Sequence, residues 1–285
     1  MKKIILSLIT AMVFASAYPQ SVLKNDLQEL HLKGKVKSMH ESFYDAVDKS
    51  GEIVKGKKTA KDDDVETRVT FNDKGYKTED ARFDHHGIPA MVLTYAYDDK
   101  SNRIEEARYN TVGTLVHKAK FAYKYNDSGK VIEKDEVSDT SRLSKQSETY
   151  VYDAKGNLVE ENWYITVGIV ISKTTSKFDD KGNIIETAHY NDRTPEMRVT
   201  YKMGNDGKLA EETWYNKGTK FNIMYTYKYD DKGNKSEMNW CKENGKSFKK
   251  WTFKYVYDNN NNWTQEIQFK NDKPYKITER TLEYF

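Results

Sequence analysis

Tyr152-Asp153-Ala154-Lys155-Gly156-Asn157 decides the reading of this chain, because the chain keeps writing it again. Phe178-Asp179-Asp180-Lys181-Gly182-Asn183 and Tyr229-Asp230-Asp231-Lys232-Gly233-Asn234 are further copies. The opening residue of each unit falls at Phe71, Tyr97, Tyr125, Tyr152, Phe178, Met203, Tyr229 and Tyr257, so the units follow one another at a nearly constant period. A looser ninth copy starts at Tyr44, one such period before Phe71. A fixed period in the range of roughly 20–50 positions marks a repeat array, whose units bury apolar surface only against their neighbours.

The chemistry of one unit makes it a β-hairpin. With the opening residue numbered zero, Asp or Asn stands at +1 in seven of eight units, and Gly at +4 in six, with Ser101 and Asn261 in the others. Asp or Asn at the head of a turn bonds its own backbone, and Gly accepts the left-handed conformation. Together they specify a type I turn closed by a glycine bulge, the usual three-residue hairpin loop. A second turn half a period later, as at Asn216-Lys217-Gly218 and Glu243-Asn244-Gly245, gives each unit two strands. The expected fold is all-β: an antiparallel hairpin array of about 17 strands, a meander wound as a β-spiral or incomplete barrel. Tyr97, Tyr125, Tyr152 and Tyr229, with Gly156, Gly182 and Gly233, are its structural repeat residues.

A three-residue loop places position −2 opposite +8. Position −2 is Tyr in six units and +8 is Glu in seven, so Tyr150 is expected to face Glu160, and Tyr227 to face Glu237, as a cross-strand ladder. Seven equivalent carboxylates describe a ladder better than a catalytic centre.

Three segments follow. Residues 1–17 carry Lys2 and Lys3, an apolar run from Ile4 to Phe14, and Ala15-Ser16-Ala17, the pattern of a signal peptide. Residues 18–43 lack the repeat; Leu23, Leu27 and Leu30 have helical spacing, and Gly34 to Phe43 reads as a first strand, so this segment is taken as an N-terminal cap. Residues 44–285 are the array. Without the leader, 45 of the 47 basic residues face 44 acidic ones, an interspersed and nearly neutral balance with no footprint for nucleic acid. No other stretch reaches membrane-spanning length. The reading is an exported protein, periplasmic or extracellular. Cys241 is the single cysteine, so no intrachain disulfide is available.

Y-x-Y-D-x-x-G-N followed by an apolar residue and Glu resembles the YD repeat, also called the Rhs repeat. Tyr150-Val151-Tyr152-Asp153 with Gly156-Asn157-Leu158, and Tyr227-Lys228-Tyr229-Asp230 with Gly233-Asn234, carry the resemblance most closely. It extends from about Tyr44 to the C-terminus. The resemblance implies an extracellular or toxin-associated protein with strands wound into a β-spiral shell, and carbohydrate binding in some members. This chain departs from the large members in being a short stand-alone array without a toxin domain, and Asn often stands where they have Arg.

No metal spacing joins His31, His40, His85, His86, His117 and His189, and no nucleophile elbow, Walker loop or dinucleotide fingerprint is present, so no cofactor is expected. Cys241 replaces an aromatic packing residue and reads as a buried thiol. One pattern points to a ligand. Position +11 holds Trp163, His189, Trp214 and Trp240 in four successive units. Under regular alternation this stripe faces away from the Tyr–Glu ladder, its rings about 9.6 Å apart. That interval suits alternate sugars of an extended glycan; the competing reading is that the tryptophans pack the interior of the spiral. The function expected is a non-enzymatic exported scaffold whose partner is a polysaccharide or a cell-surface protein. The alternative is an enzyme using sheet carboxylates.

Overall fold

All eight repeated turns close with the same pair of backbone hydrogen bonds. In the fourth, Asp153 N donates to Asn157 O at 2.9 Å and Gly156 N donates to Asp153 O at 2.9 Å, while the Asp153 carboxylate accepts Asn157 N at 2.8 Å. Gly156 has φ +86°, and where glycine is absent Ser101 and Asn261 take φ of 68° and 60°. The hairpin loop is therefore the one expected from the turn residues.

The computed structural model describes residues 24–59, 65–84, 87–139, 145–166, 169–191 and 193–285. The leader, His85, His86 and the Asp62-Asp63-Asp64 run lie outside the described residues. A single helical turn, α1 (Asp26–Glu29), precedes nineteen strands. These begin with β1 (Val36–Lys49), β2 (Glu52–Lys58), β3 (Glu66–Phe71), β4 (Lys77–Phe83), β5 (Pro89–Tyr97), β6 (Arg103–Tyr109) and β7 (Leu115–Tyr125). There follow β8 (Val131–Ser138), β9 (Lys145–Tyr152), β10 (Leu158–Thr166), β11 (Ile169–Phe178), β12 (Ile184–Asn191) and β13 (Thr194–Met203). The last are β14 (Leu209–Asn216), β15 (Lys220–Tyr229), β16 (Lys235–Cys241), β17 (Ser247–Tyr257), β18 (Trp263–Lys270) and β19 (Lys273–Tyr284). Each strand from β3 to β19 pairs antiparallel with the next in sequence.

The sheet is closed, not an open spiral or incomplete barrel. One edge of β1 pairs with β19, Met39 opposite Leu282, and the other pairs with β3, Met39 opposite Val69. Eighteen strands form the ring, and β2, paired with the far half of β1, is the extra one. Closure removes the two exposed edges that an open sheet of this length leaves unpaired. The looser copy at Tyr44 is not a turn: Tyr44 lies inside β1 opposite Ile277, and the β1–β2 turn comes later, with Gly51 N donating to Asp48 Oδ1.

The register beyond each loop also differs from expectation. Leu158 faces Tyr152, but Glu160 faces Val151 and Glu161 faces Tyr150; Met238, not Glu237, faces Tyr227. A β-bulge at +7 inserts one residue in each of the eight hairpins, which moves every side chain at +8 to the other face. The Glu at +8 therefore meets the residue at −1, which is often Lys. Lys124–Glu133, Lys177–Glu186, Lys202–Glu211 and Lys228–Glu237 pair at 2.6, 2.7, 2.8 and 2.9 Å.

Those pairs lie on the outer wall, with lysine side chains 65 to 73% exposed. The tyrosines at −2 lie on the inner wall. Burial is the leading cause that raises the pKa of Tyr95, Tyr123, Tyr150, Tyr201, Tyr227 and Tyr255, and Tyr95 and Tyr123 are pushed up to about 12. Among the described residues the strands pack closely against their sheet neighbours, around an open lumen. Eighteen strands about 4.8 Å apart, tilted about 40°, give a backbone diameter of roughly 35 Å.

The repeated aromatic stitches one unit to the next. Tyr152 Oη donates to Val131 O and Tyr229 Oη to Leu209 O, each at 2.9 Å, while Asn102 Nδ2 donates to Tyr125 Oη at 2.8 Å. Tyr97 packs on Tyr76, ring centroids 5.2 Å apart. Each ring thus docks on the turn of the preceding unit, which accounts for the co-occurrence of Tyr with Asp and Asn.

Residues 24–35 cross the mouth at the repeated-turn end. Leu27 N donates to Gly75 O at 3.1 Å and Lys77 N donates to Asp26 at 2.8 Å; farther along, Lys33 N donates to Asn262 Oδ1 at 2.7 Å. Glu29 lies within electrostatic reach of Arg103 on β6, and His31 within reach of Lys235 on β16, two strands almost opposite in the ring. Leu27 and Leu32 complete the apolar cluster of Val36, Met39, Val69 and Phe71.

Candidate functional site

The bulge decides where the side chains at +11 point. Trp163, His189, Trp214 and Trp240 share the inner wall with the tyrosines at −2; they do not face away from them. Trp163 lies opposite Glu148, His189 opposite Thr174, Trp214 opposite Val199, and Trp240 opposite Tyr225. None is buried: Trp163 is 37% exposed and the other three are half-buried. Their polar atoms are partly used. Trp163 Nε1 donates to Gln146 Oε1 at 3.2 Å and Trp214 Nε1 to Glu212 Oε1 at 3.0 Å, and His189 Nδ1 bonds the Thr174 hydroxyl at 3.3 Å.

The spacing also changes. The pairings carry each member of the stripe two positions along the strand relative to the last, because Trp163 is level with Ser172 and Asn191, not with His189. Two strands across and two positions along make the interval about 12 Å, oblique to the strands. Only the second half of the stripe forms a continuous surface. Tyr225 fills the gap between Trp214 and Trp240, with ring centroids 6.4 and 5.6 Å away and edge-to-face geometry. The Lys249 ammonium sits 3.7 Å from the Trp240 ring centre and 5.0 Å from that of Trp251, and Trp251 meets Tyr275 at 5.0 Å. The lane Trp214–Tyr225–Trp240–Trp251–Tyr275 thus crosses β14 to β19. Tyr225, Lys249, Trp251 and Tyr275 were not in the sequence-based stripe; the signal for Tyr225 and Trp251 is their even offset before the turn, which the bulge brings onto the face of +11.

A separate recess of about 300 Å³ opens beside Trp163, lined also by Glu148, Glu161, Ser172 and Thr174. Burial, then the nearby Glu148, hold the Glu161 carboxyl above the usual range. Glu148 pairs with Lys134 at 3.0 Å and accepts the Tyr150 hydroxyl. Phenol–carboxylate bonds therefore exist on the inner wall, but with other acids than those expected: Tyr227 with Glu212 and Tyr255 with Glu266.

Cys241 is buried on the outer wall, and burial pushes its thiol up. Among the described residues no three His, Cys, Asp or Glu side chains converge as a metal site requires. No helix among the described residues is long and apolar enough to cross a membrane, which leaves crossing by strands a separate question.

No family model matches this chain, and no curated protein matches it. Among solved structures it is similar to a porin-like protein from Bacteroides uniformis, at 10% identity and a TM-score of 0.42, over 88% of this chain and 98% of that one. A porin-like protein from Bacteroides vulgatus aligns at 9% identity and a TM-score of 0.30, over 88% and 99% of the two chains. The Tc holotoxin pore of Photorhabdus luminescens aligns at 11% identity and a TM-score of 0.30, over 79% of this chain and 15% of that one. The functional reading rests on this chain's own residues.

Proposed function

We propose that this is a non-enzymatic, exported scaffold that holds an extended polysaccharide against the aromatic lane of its lumen. The observation that carries the reading is the run of rings from Trp214 through Tyr225 and Trp240 to Trp251 and Tyr275, water-accessible and set on a rigid closed sheet. Aromatic faces recognise sugars by stacking, and large rings on a rigid wall lose little entropy on binding. The resemblance of the repeat to YD-type arrays and the leader pattern of residues 1–17 support an exported scaffold.

The outer wall argues against a lipid environment. A membrane barrel needs an apolar outward band about 25 Å tall. Here the outward face carries Lys–Glu pairs beside the turns on unit after unit, and midway along β11 and β13 Lys173 and Arg198 reach Glu160 and Glu186, where a cation at the bilayer midplane costs about 2–4 kcal/mol. A water-filled barrel with a wetted exterior is the better description, with residues 24–35 as its N-terminal cap.

Affinity electrophoresis of the mature chain through a panel of neutral and acidic polysaccharides tests the scaffold. Retention on at least one is expected. Trp240→Ala should weaken it about tenfold or more at an unchanged melting temperature, whereas Tyr190→Ala on the outer wall should leave it unaltered. No retention, or retention indifferent to Trp240→Ala, refutes the lane.

One observation favours a second reading. Glu161, whose carboxyl burial and then Glu148 hold above the usual range, stands beside the ion-paired Glu148 and has the makings of a general acid next to a second carboxylate. Release of short oligosaccharides from the retained polymer, abolished by Glu161→Gln while retention persists, would establish hydrolysis. An intact polymer after long incubation leaves the scaffold reading alone.

A further inference from the structure

We infer that the polysaccharide is anionic, with a carboxylate or sulfate seated between Lys249 and Lys270 at the far end of the aromatic lane. This rests on the reading of the lane as a glycan platform. Lys249 stands opposite Trp240, and Lys270 opposite Trp251, so both side chains face the lumen. Lys270 lies 5.6 Å from the ring centres of both Trp251 and Tyr275, and Lys249 lies over Trp240 and Trp251. The outer-wall lysines named above each meet a carboxylate; among the described residues these two lie against rings and form no ion pair.

Burial lowers the Lys249 pKa, and Lys270 lowers it further, with no acid to oppose them. The indole Nε1 atoms of Trp240 and Trp251 are buried without a hydrogen-bond partner. Two ammonium groups on one ring-lined stretch of wall are the complement of an anion held by charge-assisted hydrogen bonds. The lumenal acids of this region are engaged elsewhere: Glu212 bonds Trp214 and Tyr227, and Glu266 bonds Tyr255 and Gln268. Glu148 and Glu161 stand on β9 and β10, away from the lysines, and they leave the β16–β19 wall as the one suited to a polyanion.

The test compares oligogalacturonate with its fully methyl-esterified form, by calorimetry on the mature chain at low salt. Chondroitin sulfate serves as the sulfate arm. The acid form should bind about tenfold tighter than the ester or better, and the gap should narrow as salt is raised. The Lys249→Gln/Lys270→Gln variant should abolish the preference, so that acid and ester forms bind it alike. Lys249→Arg in the otherwise native chain should keep the preference, and circular dichroism confirms that each variant is folded. Tighter binding of the sulfate arm than the galacturonate assigns the anion as sulfate. Equal binding of acid and ester, with loss of both in Trp240→Ala, overturns the anionic inference and keeps the platform. Binding of neither the galacturonates nor the sulfate arm overturns this inference, and if no neutral polymer is retained either, the platform falls with it.

Discussion

The inner and outer walls of this barrel are made by the same strands and obey different rules. Outward, the repeat is nearly monotonous: Glu at +8 recurs in seven of eight units, and four of these meet a lysine at −1. Inward, the neighbouring position +9 reads Asp80, Glu106, Lys134, Glu161, Thr187, Glu212, Met238 and Glu266, and +11 is equally varied. A position that every unit fills alike serves what every unit needs, which is pairing and solvation. A position that each unit fills differently is free to build one particular surface. Function on this protein is therefore sought at the inward positions +9 and +11, where the repeat stops repeating, and not at the inward tyrosines of −2, which recur.

The largest break in that contrast is expected where the lumen ceases to be lumen. Leu27, 8% exposed, is packed with Val36, Met39, Val69 and Phe71 beneath the crossing segment, an apolar cluster of conventional kind in the inner wall. Leu27→Ala should cost about 2–5 kcal/mol, read as a lowered urea midpoint at unchanged slope. A loss below about 1 kcal/mol would mean that the crossing segment rests on the barrel without belonging to its core.

The turns, the period and the antiparallel order were legible in the sequence because Asp, Gly and Asn at fixed offsets act through local backbone chemistry. Closure was not legible, because the pairing of Val36–Lys49 with Lys273–Tyr284 joins the two ends of the chain, and no local signal records it. The bulge was the costlier omission. Val159 looks like any strand residue, yet counting it as paired moved Glu160 onto the wrong face and separated Trp163 from Tyr150. Trp163, His189, Trp214 and Trp240 were found as a set; their companions Tyr225 and Trp251 were hidden by that single shift. Lys249 and Lys270 look in sequence like the many solvated lysines of the chain, and only the rings beside them distinguish them.

A smaller effect, of opposite sign on the two walls, is expected from pH. The folded pKa of Glu161 is raised, by burial first and then by Glu148. Its favourable contribution is fully present below the unfolded value of about 4.3 and is lost as pH rises through the folded value. The folded pKa of Glu237 is lowered, by its hydrogen bond from Asn239 first and then by Lys228. Its contribution is present above the unfolded value and is lost as pH falls through the folded one. Glu161→Gln should therefore raise the melting temperature near neutrality, with the gain fading toward about pH 4, while Glu237→Gln should lower it, with the loss fading in the same direction. Two variants that respond to pH alike would remove the electrostatic distinction between the walls.

The smallest effect belongs to the outward ladder itself. Lys202 is 73% exposed and its partner Glu211 is 23% exposed, at 2.8 Å, so water screens the pair and the long side chain loses entropy to hold it. Lys202→Ala should cost about 0.2–1 kcal/mol, and less as salt is raised. The ladder's value then lies in its repetition, as a wetted surface that keeps strand faces from pairing with other chains, and not in any one rung. Urea denaturation of Lys202→Ala at low and high salt decides this. A loss above about 2 kcal/mol, or one indifferent to salt, would make the outer wall a structural network in its own right. The inner wall would then lose its claim to be the only side on which single residues matter.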